Sequence, residues 1–202
     1  MGEVRIDGRT ARRERGRAAV VDAAFELLLA GRHPLGVDDV ASAAGVSAAS
    51  VFRYFDGLAD LQRQAVERFL DAYGPDLATE EVGDGPRADR LARLVRRRLD
   101  LYERAGPILA AGRSLALQHD VLADAVDRSR ALRAEQVRAA LAPELEPASA
   151  ARSADLVATV DAVIAPEAWD LLRRFHDRSR EQIRRSWMRT LTAAVVSWEG
   201  TR

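Results

Sequence analysis

Apolar side chains recur three and four residues apart along nearly the whole of this 202-residue chain, and nowhere do they alternate or gather in β-branched runs. That spacing follows the 3.6-residue turn of an α-helix, not the two-residue period of a strand. An all-α fold of about nine to ten helices is expected on this pattern. Val21, Phe25 and Leu28 open the series, ended by Gly31 and Pro34. Val37, Val40, Ala41 and Ala44 form a short second stripe closed by Gly45, a residue suited to a left-handed turn. Ser47 is placed to cap a third short helix that turns Val51 and Phe55 inward, and Leu58, Leu61, Ala65, Phe69 and Tyr73 carry the fourth.

The stretch from Gly74 to Pro86 holds three glycines, two prolines and four acids, the composition of a surface connector. It divides the chain into expected domains of residues 1–72 and 73–202. Beyond it, Leu91, Leu94, Leu101 and Tyr102 define a helix expected to stop at Gly106 and Pro107, followed by a shorter one from Ile108 to Leu117. Leu122, Val126, Leu132, Val137 and Leu141 outline a long helix. Leu156 to Ile164 begin another, which Pro166 must kink or restart before Trp169, Leu172 and Phe175. The last helix carries Ile183, Trp187, Leu191, Val195 and Trp198.

Composition narrows the function classes. With no cysteine, the chain has no disulfide scaffold, thiol nucleophile or thiolate metal site. His33, His119 and His176 are far apart and sit in no metal-binding spacing, so no metal, no cofactor and no catalytic residue is expected. Charges interrupt every apolar run short of a membrane span, and the start lacks a signal-peptide apolar region, so a soluble cytoplasmic protein without membrane contact is expected. Every one of the 31 basic residues is arginine, and they balance 31 acids, but unevenly. Five arginines face only Glu14 between Arg9 and Arg17, and seven face Asp177 and Glu181 between Arg173 and Arg189.

The segment Val37 to Leu61, VDDVASAAGVSAASVFRYFDGLADL, concentrates the chemistry. Two short helices joined by a tight glycine turn can set one across a DNA backbone and the next in the major groove. With Val51 and Phe55 inward, Ala48, Ala49, Ser50, Arg53 and Tyr54 remain outside, beside Ser47. Small side chains permit close approach to base edges, their methyl groups meeting thymine, while a guanidinium suits guanine or phosphate. The arginines ahead of the unit, Arg12 and Arg13 among them, are expected to form a flexible arm along the backbone or minor groove.

Val40, Ala41, Ala44, Gly45, Val46, Ser47, Phe52, Tyr54, Phe55 and Leu61 match in order the pattern of the DNA-binding domain of the TetR (tetracycline-repressor-like) family, which this stretch resembles over about residues 12–72. Gly36, Phe52 and Leu58 depart from it, standing where threonine, tyrosine and lysine are frequent and each lacking a polar contact to phosphate or cap. The resemblance implies an N-terminal helix-turn-helix three-helix domain followed by a helical ligand-binding and dimerisation domain. It implies a homodimer that binds double-stranded DNA at a palindromic operator and responds to a small-molecule effector, typically as a repressor.

For the second domain, two expectations follow. A pocket among the helices, involving Tyr102, Leu109, Gln118, Leu122 and Val126, would suit a largely apolar compound with one or two hydrogen-bonding groups. The late apolar stripe serves equally as a single-chain core or as a four-helix seam, and the resemblance implies the seam, with Leu156, Trp169, Leu172, Trp187, Leu191 and Val195 at the dimer interface. A competing reading is an all-helical small-molecule carrier or enzyme whose first domain is architectural.

Overall fold

The computed structural model describes residues 8–117 and 120–200, and the described residues hold helices and turns without a strand. In chain order these are α1 (Gly8–Leu29), α2 (Val37–Ala44), α3 (Ala48–Tyr54), α4 (Leu58–Tyr73), a 3₁₀ turn (Gly74–Leu77), α5 (Arg87–Ala116), α6 (Asp120–Ala140), α7 (Ala142–Leu145), α8 (Ala150–Val163), α9 (Pro166–Asp170), a π-helical turn (Leu171–Phe175) and α10 (Arg180–Gly200). The all-α expectation holds.

The chain forms two compact units, Met1–Ala72 with Pro107–Val126, and Tyr73–Gly106 with Asp127–Arg202. Residues 107–126 thus pack with the first unit, an exchange that a linear division after residue 72 does not include. In the first unit, α1 packs on α2 and α3, and α2 on α3. Val20, Ala24, Phe25 and Leu28 of α1, Val40 and Ala41 of α2, Val51 and Phe55 of the α3 region, and Leu61, Ala65 and Phe69 of α4 are all buried. A further cluster joins Val66 to Leu115, Leu122 and Ala125. Burying aliphatic and aromatic side chains contributes roughly 1.5–3 kcal/mol each, which holds short helices that would be marginal alone.

The arginines of the expected flexible arm are helical: Arg12, Arg13, Arg15 and Arg17 all lie in α1. Arginine and alanine are good helix formers, and α1 continues through them, so exposed cations project from a rigid element. A second departure is α5, expected to stop at Gly106 and Pro107 but continuous for 30 residues. A proline inside a helix costs about 3 kcal/mol through a missing hydrogen bond and a crowded carbonyl. Here an unbroken buried face, Leu101, Tyr102, Ala105, Ile108 and Ala111, carries the helix across. Gly106 is needed at that point because a Cβ would lie 2.8 Å from the Trp169 ring.

In the second unit α8 packs against α10, and α9 and α10 against the π-helical turn. Pro166 begins α9 after α8 ends at Val163, the restart expected of it. Phe175, expected to follow Trp169 inward, is 78% exposed. Helix α6 reverses an expectation too. Leu132 is exposed, while Ser129, Arg133 and Gln136 are buried. A polar face of α6 therefore points into the protein.

Candidate nucleic-acid interface

The turn between α2 and α3 is fixed by Gly45, whose φ of 67° and ψ of 33° lie in the left-handed region open to glycine. Its N–H donates to the carbonyls of Ala41 and Ser42, closing α2. Helix α2 lacks a side-chain cap at Gly36, but Asp38 and Asp39 in its first turn suit the positive end of the helix dipole. Ser47 caps α3: its Oγ accepts from the Ser50 N–H at 3.2 Å. The same hydroxyl lies 3.0 Å from Ser50 Oγ, which also accepts from Arg53 Nη2 at 3.0 Å. Ser47, Ser50 and Arg53 thereby form one hydrogen-bonded row along α3.

Val51 and Phe55 face the core, leaving Ser47, Ala49 and Arg53 exposed and Ala48, Ser50 and Tyr54 half-buried. The Arg53 guanidinium sits 5.5 Å from the Tyr54 ring centroid, a stacking geometry that restrains it. Tyr54 in turn lies against α1, where a Cβ on Gly16 would stand 2.6 Å from its hydroxyl, so glycine there makes room for the phenol. Arg13 Nη2 donates to the Arg53 carbonyl at 3.4 Å, and Arg17 stacks over Phe55 at 5.4 Å. The expected α3 residues and Arg13 therefore occupy one region, with Arg12 exposed on α1 nearby in sequence. Phe52, noted in the sequence only as a departure from the family pattern and not counted among the contact residues, is 61% exposed on the same helix. Its signal was available, since Val51 and Phe55 define the inward face and leave position 52 outside.

The expected ligand residues fall differently. Tyr102 is fully buried in the second unit, its hydroxyl donating to the Ile164 carbonyl at 2.9 Å. Its ring meets Trp169 at 6.1 Å and Trp187 at 6.4 Å between centroids, and burial raises its pKa. Leu109, Leu122 and Val126 belong to the first unit. Leu122 is buried and the other two half-buried, and Gln118 lies outside the described residues.

The late stripe lies inside the second unit. Leu156, Trp169, Trp187, Leu191 and Val195 are buried within the chain's own second unit, with Leu191 and Val195 wholly inaccessible, and Leu172 is half-buried. These side chains belong to the internal core of that unit. Exposed on α8 are Ala151, Ala154, Ala158 and Ala162 with Asp155 and Thr159 among others, and the exposed residues of α10 include Thr192, Ala193, Val196 and Ser197 in its later half and Glu181, Arg184, Arg185 and Arg189 in its earlier half. A shallow groove between the two helices is lined by Asp155, Leu156, Thr159, Ala194, Ser197 and Trp198.

Sequence reasoning also missed the buried polar groups of the second unit. Arg90 donates to both Glu144 oxygens at 2.6 and 2.7 Å and to the carbonyls of Ala140 at 2.8 Å and Gly85 at 2.7 Å. Arg87 adds a bond to Glu144 at 2.8 Å and reaches Glu199. Burial opposes the Glu144 charge, but the hydrogen bonds from Arg87 and Arg90 outweigh it and hold this carboxyl below the usual glutamate range. Among the described residues no cluster of three or more His, Asp or Glu side chains could hold a metal ion, and no helix is long and apolar enough to cross a membrane.

Comparison with known proteins meets this geometry at its centre. Residues 20–65 match the family model described as bacterial regulatory proteins, tetR family. The chain is 36% identical over 97 residues to the HTH-type transcriptional repressor LfrR of Mycolicibacterium smegmatis, an alignment covering 48% of this chain and 49% of that protein. The chain thus aligns with about half the length of this curated relative. Among solved structures, a tetR-family transcriptional regulator from Streptomyces coelicolor superposes with a TM-score of 0.71 at 22% identity, covering 88% of this chain and 81% of that one. A second, from Rhodococcus sp., gives 0.68 at 20% identity, covering 90% and 99%. These two likenesses extend the shared fold well beyond the matched segment.

Proposed function

We propose that this chain, whose residues 20–65 match the model of the tetR family of bacterial regulatory proteins, is a transcriptional regulator of that family that binds DNA through α3, acting as a repressor released by a small molecule. The observation that carries this reading is the row Ser47, Ser50 and Arg53 on a helix whose opposite side, Val51, is locked into the core by a glycine turn. Such a helix offers short side chains for close approach and one restrained guanidinium for a guanine edge or a phosphate. Arg12, Arg13, Arg15 and Arg17 on α1 add positive charge that favours the DNA backbone. The function is binding rather than catalysis, and it is exercised on DNA in the cytoplasm.

A symmetric dimer would present two α3 helices to half-sites about 34–36 Å apart. We place its interface on the exposed alanine-rich side of α8 and the adjoining side of α10, since their apolar stripes are already occupied internally. The small-molecule site belongs to the helices beyond the first four, and a ligand shifts DNA binding only by its differential affinity for the two states. The reading is tested by selecting bound sequences from random duplexes and by sedimentation of the free protein. A two-fold symmetric element together with a dimer at micromolar concentration is expected. Failure to enrich any sequence, or a monomer both free and on DNA, would overturn it.

A further inference from the structure

Helix α5 buries two arginines two turns apart, and the protein treats them differently. Arg90 is met by a carboxylate and two carbonyls. Arg98, wholly inaccessible, is met by neutral acceptors alone: Nη1 donates to Gln136 Oε1 and Nη2 to the Arg133 carbonyl at 2.6 Å, while Nε has no partner. Arg133, 6% exposed, lies beside it and donates to Ser129 Oγ at 2.8 Å. Among the described residues neither guanidinium forms an ion pair, and the half-buried Asp161 acts on Arg98 only through space. Taking an ion out of water is costly unless a counter-charge replaces its hydration, and two adjacent buried cations repel one another as well. Burial accordingly disfavours the charged form of Arg98.

We propose that Arg98 and Arg133 form the anion-recognising part of the effector site, and that the effector is a small organic carboxylate whose apolar body lies toward Tyr102. This rests on the effector reading above and names the ligand class. A carboxylate offers the planar pair of oxygens that a guanidinium fork matches, and it would supply the missing counter-charge to both side chains. Tyr102, one turn beyond Arg98 on α5, heads the aromatic group with Trp169 and Trp187, an apolar surface next to the charged one. The expectation of a largely apolar ligand changes to an amphipathic anion.

The arrangement also gives the ligand something to move. Gln136 holds Arg98 through its oxygen, and through its nitrogen it donates to the carbonyls of Asp76 at 2.9 Å and Ala78 at 2.7 Å. Asp76 lies in the 3₁₀ turn that directly follows α4 in the chain, and Ala78 is the residue that ends it. A carboxylate that draws Arg98 away from Gln136 frees the amide that straps this turn.

The test uses the full-length protein and a panel of straight-chain and aryl monocarboxylates, each paired with its alcohol of equal length. Thermal unfolding and release of selected DNA are the two readouts. Carboxylates are expected to raise the unfolding midpoint and release DNA where the paired alcohols do neither. Arg98→Met is expected to lose about ten- to hundredfold in carboxylate affinity, the range for hydrogen bonds to a charged group. It is also expected to raise the midpoint without ligand, because an uncompensated buried charge is gone. A purely structural arginine would give a lower midpoint. Should that variant fail to fold, the proposal stands or falls on Arg133→Met, read in the same way. Equal response to carboxylates and alcohols, no response to any carboxylate, or undiminished response in the variants would overturn the proposal. Release of DNA by alcohols alone would overturn it while leaving the regulator reading intact. Carboxylate binding that leaves DNA bound would support the anion site and overturn effector-driven release.

Discussion

In the first unit the polar residues that carry the proposed function are outside, and in the second they are inside. Helix α3 turns Ser47 and Arg53 to solvent and keeps Val51 in, whereas α5 and α6 turn Arg90, Arg98, Arg133 and Gln136 inward and leave Leu132 out. On the proposed function, the difference follows from what each surface would have to meet. DNA arrives already hydrated and negatively charged, so its reader needs groups at the surface on a rigid scaffold. A small ligand must be desolvated to be distinguished, so its reader needs polar groups where water is excluded. Within the second unit the contrast repeats, since Arg90 has a resident carboxylate in Glu144 and Arg98 has none.

The largest effect is expected where the interior is purely apolar. Leu191→Asp places a carboxylate at a wholly inaccessible site, and the second unit should lose several kcal/mol and unfold. Circular dichroism on heating should show an absent or strongly lowered transition. A variant that unfolds like the parent yet sediments as a monomer would return Leu191 to a subunit interface.

Arg90→Met should cost about 3–5 kcal/mol, the range for removing one partner of a buried ion pair, whereas Arg98→Met has no acid to orphan. Equal destabilisation by the two would erase the distinction between them. The same pair sets a pH dependence. The Glu144 carboxyl is held below its ordinary range, so its stabilisation is present above that range and fades as pH falls through the lowered value. Denaturant unfolding from pH 6 downward, to roughly pH 3 given carboxylate values near 4.3, should show that fall, and Glu144→Gln should flatten it. An unchanged slope in that variant would assign the acid sensitivity elsewhere.

The smallest effect concerns the first unit. Replacing Arg12 and Arg13 by alanine should weaken all duplexes alike and lower the slope of log K against log salt by roughly 0.9 for each phosphate no longer neutralised. Anisotropy titrations at several salt concentrations measure it, and an unchanged slope would remove these two residues from the interface.

How far the sequence discloses each unit follows the same division. The helix-turn-helix is legible because its determinants are local: a left-handed glycine at 45, a serine cap at 47, and an inward pair at 51 and 55 that sets the outward residues by helical period. The rule that apolar faces turn inward serves there and fails on α6, where it buries Leu132 and overlooks Arg133 one position on. Nothing local marks Arg98, Arg133 and Gln136 as interior, because their partners are 35 and 38 residues apart in the chain. Pro107 misleads for a related reason, since local chemistry ends a helix that tertiary packing continues. The late stripe is apolar and helical as its spacing indicates, but periodicity does not say whether a buried face meets its own chain or another.

On the proposed function α3 reads base edges, with Arg53 restrained by Ser50 and Tyr54 to do so. Its most direct test is parallel selection from random duplexes with the parent protein and Arg53→Ala. The variant is expected to bind the parent sequence about 1–3 kcal/mol more weakly and to lose preference at one base position in each half-site, with the remainder unchanged. Recovery of the same sequences with the same preferences from both proteins would contradict it.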